Sequence, residues 1–153
     1  MSGDGEEEWV LESERLRFRH WSVEKDKELA LSLWGNPLVT RFIGGPFSTE
    51  ACLKRLSHEV ATFDSHKVQY WPVFLKSSGS FVGCCGLWPY TKPIDELGAA
   101  ASSAVVFQLG FHLLPQFWGQ GYATEAGRAV ITFAFSKLHA DALFAGHHPQ
   151  NSA

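Results

Sequence analysis

"FHLLPQFWGQGYATEAGRAVITFAF", Phe111 to Phe135, runs from an apolar stretch into a proline, passes two glycines one residue apart, and becomes a segment of small and aromatic residues. A strand that ends at Pro115 and reaches a helix through "WGQGYAT" presents several backbone N–H groups at a helix amino terminus. Such groups have no partner inside the helix and carry the positive end of its dipole, so they suit phosphate oxygens. Gly119 and Gly121 let the backbone approach an anion closely and adopt positive φ, Ala123 keeps the first turn narrow, and Thr124 adds a hydroxyl donor. In a chain of this length about one Gly-x-Gly arises by composition alone, so the signal lies in its position between strand and helix.

The two familiar nucleotide signatures do not fit. A P-loop closes with Gly-Lys-Ser/Thr, which is absent here. A dinucleotide fold places G-x-G-x-x-G directly after the first strand of a repeating βαβ series, with an acidic residue about 20 positions on. This loop follows several antiparallel strands and has no third glycine.

Composition bounds the rest. A chain of 153 residues fits one domain, and its 45% hydrophobic content and six tryptophans exclude a disordered chain. A net charge of −3 argues against a protein built to grip nucleic-acid backbone and mildly favours amine ligands. Cys84 and Cys85 are adjacent, so on a strand they point to opposite faces and cannot clasp one metal; with Cys52 they read as reduced core residues. His147 and His148 lack a third ligand at recognisable spacing, and no metal is expected. The opening "MSGDGEEEW" lacks the basic flank and apolar core of a secretory signal, and no stretch is long enough to span a bilayer. A cytoplasmic chain is expected, with residues 1–10 an acidic disordered tail and residues 11–153 one domain.

Working back from the glycine loop, "ESERLRFRHW" alternates Leu16 and Phe18 against Arg15, Arg17 and Arg19, predicting a strand over about 14–20. Ser22 is read as the cap of a helix with Lys25, Asp26 and Glu28 solvated and Leu29, Leu33 and Trp34 inward, stopped by Gly35, Asn36 and Pro37. Ser48 or Thr49 caps a second helix carrying Cys52, Leu53, Leu56, Val60 and Phe63 at helical spacing. "VQYWPVFL", "KSSG" and "SFVGCCGLW" predict an antiparallel hairpin, with Pro72 at an edge or bulge. Another strand is predicted from Val105 to Leu114. A helix follows from Gly121 to Leu138 with Val130, Ile131, Ala134, Phe135 and Leu138 on one face, then a short strand from Asp141. The fold class is mixed α/β without internal repeats.

Four blocks in this order, "LESERLRFRHW", "LWGNPLVTRFIGGPFSTE", "FVGCCGLWPY" with "DELG", and "LGFHLLPQFWGQGYATEA", resemble the GNAT superfamily of acyl-CoA-dependent N-acetyltransferases. Within it they resemble the branch that includes ribosomal-protein N-terminal acetyltransferases. The family's pyrophosphate loop, Gln/Arg-x-x-Gly-x-Gly/Ala, matches Trp118 to Ala123, with Trp118 where most members carry Gln or Arg.

The resemblance implies a central mixed sheet, mainly antiparallel with one splayed parallel pair, flanked by helices. It implies that acetyl-CoA is the co-substrate and that a primary amine, of a protein N-terminus or a small molecule, is the acceptor. Phe111, His112 and Leu113 would line the pantetheine arm, while Gly119, Gln120, Gly121, Tyr122, Ala123 and Thr124 would hold the pyrophosphate, and Asn151 would be a last cofactor contact. A backbone N–H of the splayed strand would stabilise the oxyanion and Glu96 would be the candidate base. His112 is a weaker candidate base, since a strand histidine beside an aromatic is more often packed. The partners implied are the amine acceptor and at most a second copy of the chain, with no nucleic acid and no membrane.

Two departures from the family pattern bear on activity. "AAASSAVVFQLG" stands between "DELG" and "FHLLP", and deleting Ala99 to Gly110 restores the pattern, as if a segment had been inserted. Such a segment either loops out or replaces part of the strand with "VVFQ", in which case Gln108, an amide, stands where Glu96 should. The second departure is the end, "HHPQNSA", where relatives continue through a further helix and two strands; the domain is therefore expected to be incomplete. The alternatives to an active N-acetyltransferase are a catalytically inactive, truncated isoform that only binds acyl-CoA or a protein partner, and a general scaffold domain.

Overall fold

A computed structural model describes residues 8–90 and 104–145. Six strands form one sheet in the order β1-β2-β3-β4-β5-β6: Trp9–Glu12, Leu16–Arg19, Tyr70–Leu75, Phe81–Pro89, Val106–Leu113 and Ala142–Phe144. Every pair is antiparallel except β5 with β6. Helices α1 (Lys27–Trp34), α2 (Pro37–Thr40) and α3 (Thr49–His66) come between β2 and β3, and α4 (Tyr122–Ser136) between β5 and β6. The mixed α/β architecture expected from the sequence is therefore the one observed.

The sheet separates two cores, and β4 shows how. Its Cys85 and Leu87 join Leu16, Phe18, Trp71 and Val73 under Ala126, Val130 and Ala134 of α4. Its Cys84 faces the other way, into Trp21, Leu33, Trp34, Cys52, Leu56 and Tyr70, where α1 and α3 pack. Neighbouring side chains on a pleated strand alternate between faces, which is why the two cysteines part company. All three cysteines are free and buried.

Local chemistry explains most of the boundaries. Ser48 Oγ accepts from Ala51 N at 3.1 Å and starts α3. Trp34 ends α1, and Asn36 then caps the short α2, with Pro37 in the first turn. Pro72 lies in the inner strand β3, next to a bulge between Val73 and Phe74 and beyond Phe18↔Val73, where the register with β2 ends. No helix among the described residues is long and apolar enough to cross a membrane.

Four expectations are corrected. The chain enters the sheet at Trp9, two residues inside the stretch read as a disordered tail, because β1 closes a hairpin on β2 with Leu11 opposite Phe18. Ser22 does not cap α1; it heads the turn before it, and Asp26 is the N-cap. Asp26 is not solvated but only 2% exposed, its carboxylate held by Arg19 at 2.8 and 3.0 Å and by the N–H of Ser22 at 2.8 Å. On α4 the buried stripe is Ala126, Val130 and Ala134, while Ile131 and Phe135 are 38% and 46% exposed. The true stripe keeps to positions four apart, and Ile131 and Phe135 sit one step round the helix from it.

Candidate functional site

The strand β5 turns through a 3-10 turn at Pro115–Phe117 and reaches α4 across Trp118 to Gly121. Gly119 has φ +73° and Gly121 φ +83°, both in the left-handed region that favours glycine. Gly121 is the N-cap and offers no side chain. Among the described residues no protein group accepts from the N–H of Gly119, Gln120, Gly121, Tyr122, Ala123 or Thr124; the first bonded N–H is that of Glu125, to Gly121 O at 3.0 Å. A Cβ on Gly119 would meet nothing within 4 Å, so the loop is open above that position. Six donors at the positive end of a 15-residue helix, with open space above Gly119, fit a diphosphate.

The loop is fixed by residues of the first β-hairpin, far from it in sequence. Arg15, from the β1–β2 turn, donates through Nη1 to Gln120 O at 3.1 Å, and its guanidinium lies 4.2 Å from the Tyr122 ring centroid. Glu125 accepts from Arg15 Nε at 2.6 Å, from Arg15 N at 2.7 Å and from the Ser13 hydroxyl at 2.5 Å. Burial pushes the Glu125 carboxyl up, but the Ser13 hydroxyl, the Arg15 N–H and the Arg15 guanidinium outweigh it and leave it below the ordinary range. A cleft of about 730 Å³ opens here, lined by Arg15, Thr124, Glu125 and Arg128 among others. Trp118 donates its indole N–H to Leu113 O at 2.8 Å and ties the loop back to the end of β5.

Beside the loop, β5 is half paired. Its parallel register with β6 covers Val106↔Ala142, Phe107↔Leu143 and Gln108↔Phe144 and then ends. From Leu109 to Leu113 no strand among the described residues lies on that side, whereas β4 follows β5 on the other side all the way to Leu113. The His112 carbonyl faces β4, since a Cβ on Gly83 would collide with it. By strand alternation the main-chain groups of Phe111 and Leu113 therefore turn to the open side and those of His112 do not. Phe111 is 48% exposed.

His112 points its ring into the α1–α3 core. Its Nδ1 accepts from Trp34 Nε1 at 3.0 Å, Cys84 Sγ lies 3.7 Å away, and the Tyr70 ring meets it edge to face. Burial, reinforced by the positive charge of Arg55, lowers its pKa from the ordinary 6.5 to about 3. It is a packed, neutral histidine. Val106, Phe107 and Gln108 lie in β5, so of the two placements considered for "VVFQ" the strand is the observed one. Glu96, Asn151, His147 and His148 lie outside the described residues.

Sequence reasoning missed two groups. Arg15 and Glu125 are far apart in sequence and neither shows its partner in a local motif. The second group lies on the α1–α3 face below β4 and β5. There Glu59, fully buried, accepts from Arg55 Nε at 2.7 Å, Tyr70 N at 2.7 Å and Trp88 Nε1 at 3.2 Å. The four-residue spacing of Arg55 and Glu59 on a helix was the available signal.

Among the described residues, a strand edge without a neighbour runs into a helix mouth lined with free N–H donors, an arrangement that suits an elongated anionic ligand. Residues 15–153 match the family described as acetyltransferase (GNAT) domain, and the chain belongs to that family. It is similar to the uncharacterized N-acetyltransferase p20 of Bacillus licheniformis, at 24% identity over 145 residues, covering 94% of this chain and 75% of that one. Its fold resembles a GNAT-family acetyltransferase from Bacillus anthracis, with TM-score 0.72, 21% identity and coverage of 94% and 76%. It also resembles the ribosomal-protein-S5-alanine acetyltransferase from Vibrio fischeri, with TM-score 0.63, 17% identity and coverage of 92% and 75%.

Proposed function

We propose that this chain transfers an acetyl group from acetyl-CoA to a primary amine, either a protein N-terminus or a small molecule. The observation that supports this reading is the set of six N–H groups from Gly119 to Thr124 that, among the described residues, have no protein acceptor and lie beside a stretch of β5 without a neighbouring strand. In this reading the loop holds the coenzyme's diphosphate, with the Thr124 hydroxyl as a further donor. The Phe111 and Leu113 main chains line the pantetheine arm, and His112 supports them from the covered face. Glu96 and Asn151 keep the roles that the family resemblance gives them, as base and cofactor contact. When bound, the coenzyme supplies an activated acyl thioester. An N–H on the open side of β5 holds the charge that develops on the thioester oxygen, an effect often worth about 3 kcal/mol. A deprotonated amine must meet it there, which calls for a proton acceptor.

Acetyl-CoA is expected to raise the melting temperature, and amines added to the mixture are expected to release free thiol. The absence of any shift at millimolar acetyl-CoA overturns the reading. One observation favours a second reading, a non-catalytic acyl-CoA binder: Gln108, which cannot act as a base, occupies β5 opposite Trp88. Binding without thiol release for any amine selects that reading. In the acetyl-transfer reading the protein works in the cytoplasm and engages neither membrane nor nucleic acid; the net charge of −3 supports the last point. Its oligomeric state, monomer or homodimer, is readable by light scattering.

A further inference from the structure

The cleft of about 730 Å³ between the β1–β2 turn and α4 begins at Gly121 and Thr124, which belong to the glycine loop, and continues down the helix past Arg128 to Thr132. Thr124, Arg128 and Thr132 recur at four-residue spacing and all three are exposed, so they form one stripe along α4 that advances about 6 Å at each step. This stripe is not the one that meets the sheet, which is Ala126, Val130 and Ala134. It looks out beside Glu125, on the side of the helix that the first hairpin grips.

The charges lining the cleft do not cancel one another evenly. Glu125 is paired with Arg15 at 2.6 Å, and Glu12 with Arg17 at 3.2 Å and Lys76 at 3.4 Å. Glu14 also acts on Arg15, whose pKa is raised by Glu125 first and by Glu14 more weakly. Arg128 is left over: among the described residues it has no hydrogen bond, ion pair or ring contact. Low-dielectric walls concentrate the field of an unmatched charge, so an anion gains more beside Arg128 than it would on an open surface. Coenzyme A carries a phosphate in the right place. Its diphosphate joins the pantetheine arm to a ribose, and that ribose bears a further phosphate on its 3′ oxygen. With the arm along β5 and the diphosphate over Gly119 to Thr124, the ribose is the next group in line and the 3′-phosphate lies one sugar further on. Arg128 stands one helical step, about 6 Å, beyond Thr124.

We propose that the cleft between the first hairpin and α4 receives the phosphorylated ribose of the coenzyme, and that Arg128 is the specificity-determining residue that binds its 3′-phosphate. The acyl donor is then the free, 3′-phosphorylated coenzyme rather than a pantetheine arm that lacks this phosphate, such as one borne on a carrier protein through a single phosphodiester. An arm of that kind ends at the helix mouth and leaves Arg128 without an anion. This inference rests on the acetyl-transfer reading, because an arm lying along β5 sets the direction in which the rest of the ligand runs.

The test is calorimetric binding of CoA and of dephospho-CoA, which differs only in lacking the 3′-phosphate, to the wild-type chain, R128M and R128K. Arg128 is exposed, so the variants are expected to melt with the wild type, and ligand-free melting curves check this. The wild type is expected to bind CoA about tenfold or more tightly than dephospho-CoA, the scale of one charge-assisted hydrogen bond. R128M is expected to bind both ligands alike, at the affinity that the wild type shows for dephospho-CoA. R128K, which keeps the charge but not the fork, is expected to fall between. Added salt narrows the preference of the wild type and leaves R128M unchanged in this respect. Equal affinity of the wild type for the two ligands, a preference that R128M retains, or a loss in R128M that is the same for both overturns the 3′-phosphate site and leaves acetyl transfer intact. A wild type that binds neither ligand overturns acetyl transfer itself, and this site with it.

Discussion

Glu125, in the first turn of α4, is gripped by Arg15 through both its side chain and its main chain, with Nε at 2.6 Å from one carboxylate oxygen and N at 2.7 Å from the other. One residue of the first β-hairpin thereby sets the angle at which α4 begins, and so the direction of the free N–H groups ahead of it.

Replacing Glu125 with Gln is expected to lower the melting temperature by about 3–6 °C at pH 7, because several charge-assisted bonds become neutral ones. The folded carboxyl lies below its ordinary 4.5, so its stabilisation is complete above that value and fades as pH falls through the lower, folded pKa. Melting curves of both proteins from pH 7 downward are expected to converge below 4.5. A constant gap refutes the linkage.

The glycines divide by their backbones. Gly121→Val forces a β-branched residue to φ +83° and is expected to cut acetyl-CoA affinity about tenfold or more, as read by calorimetry. Gly127, inside α4 with open space at its Cβ position, is the matched control. Gly127→Ala is expected to stabilise the chain by about 0.5–1 kcal/mol and leave that affinity alone.

The two parts of the site were unequally legible in the sequence. The glycine loop was readable because its function needs only backbone, and backbone freedom is written directly as Gly119 and Gly121. Strands β2 to β5 were readable from alternation and turn residues. The Arg55 cluster was hidden because a buried guanidinium looks, in sequence, like any solvated helical cation, and the residues around it, Trp34, Tyr70, Trp88 and His112, come from four other elements. Asp26 misled for the same reason: its burial depends on Arg19, which reaches it from a neighbouring strand. The face of α4 was misjudged by one step since Ile131 and Phe135 are apolar yet exposed, and hydrophobicity alone does not say which of two adjoining stripes meets the sheet.

His112 binds no proton in the folded state until about pH 3, whereas an unfolded histidine does so near 6.5. Its contribution is fully present above 6.5 and is lost as pH falls from there toward 3. The slope approaches about 1.4 kcal/mol per pH unit. Urea denaturation across this range is expected to be shallower for His112→Gln than for the wild type. Parallel profiles assign the acid sensitivity to other groups.

The three thiols are expected to ignore a thiol reagent in the native protein and to react together once denaturant is added. Burial raises the pKa of Cys52, Cys84 and Cys85 alike, so little thiolate exists to attack. Fast labelling of one cysteine under native conditions contradicts this.

With Cys84 facing one core and Cys85 the other, β4 is a partition a single residue thick. Neither compartment has a wall of its own. Loosening the layer under α4 must strip the ceiling from the layer over α3, so the two melt as one event, and no excised half keeps its shape.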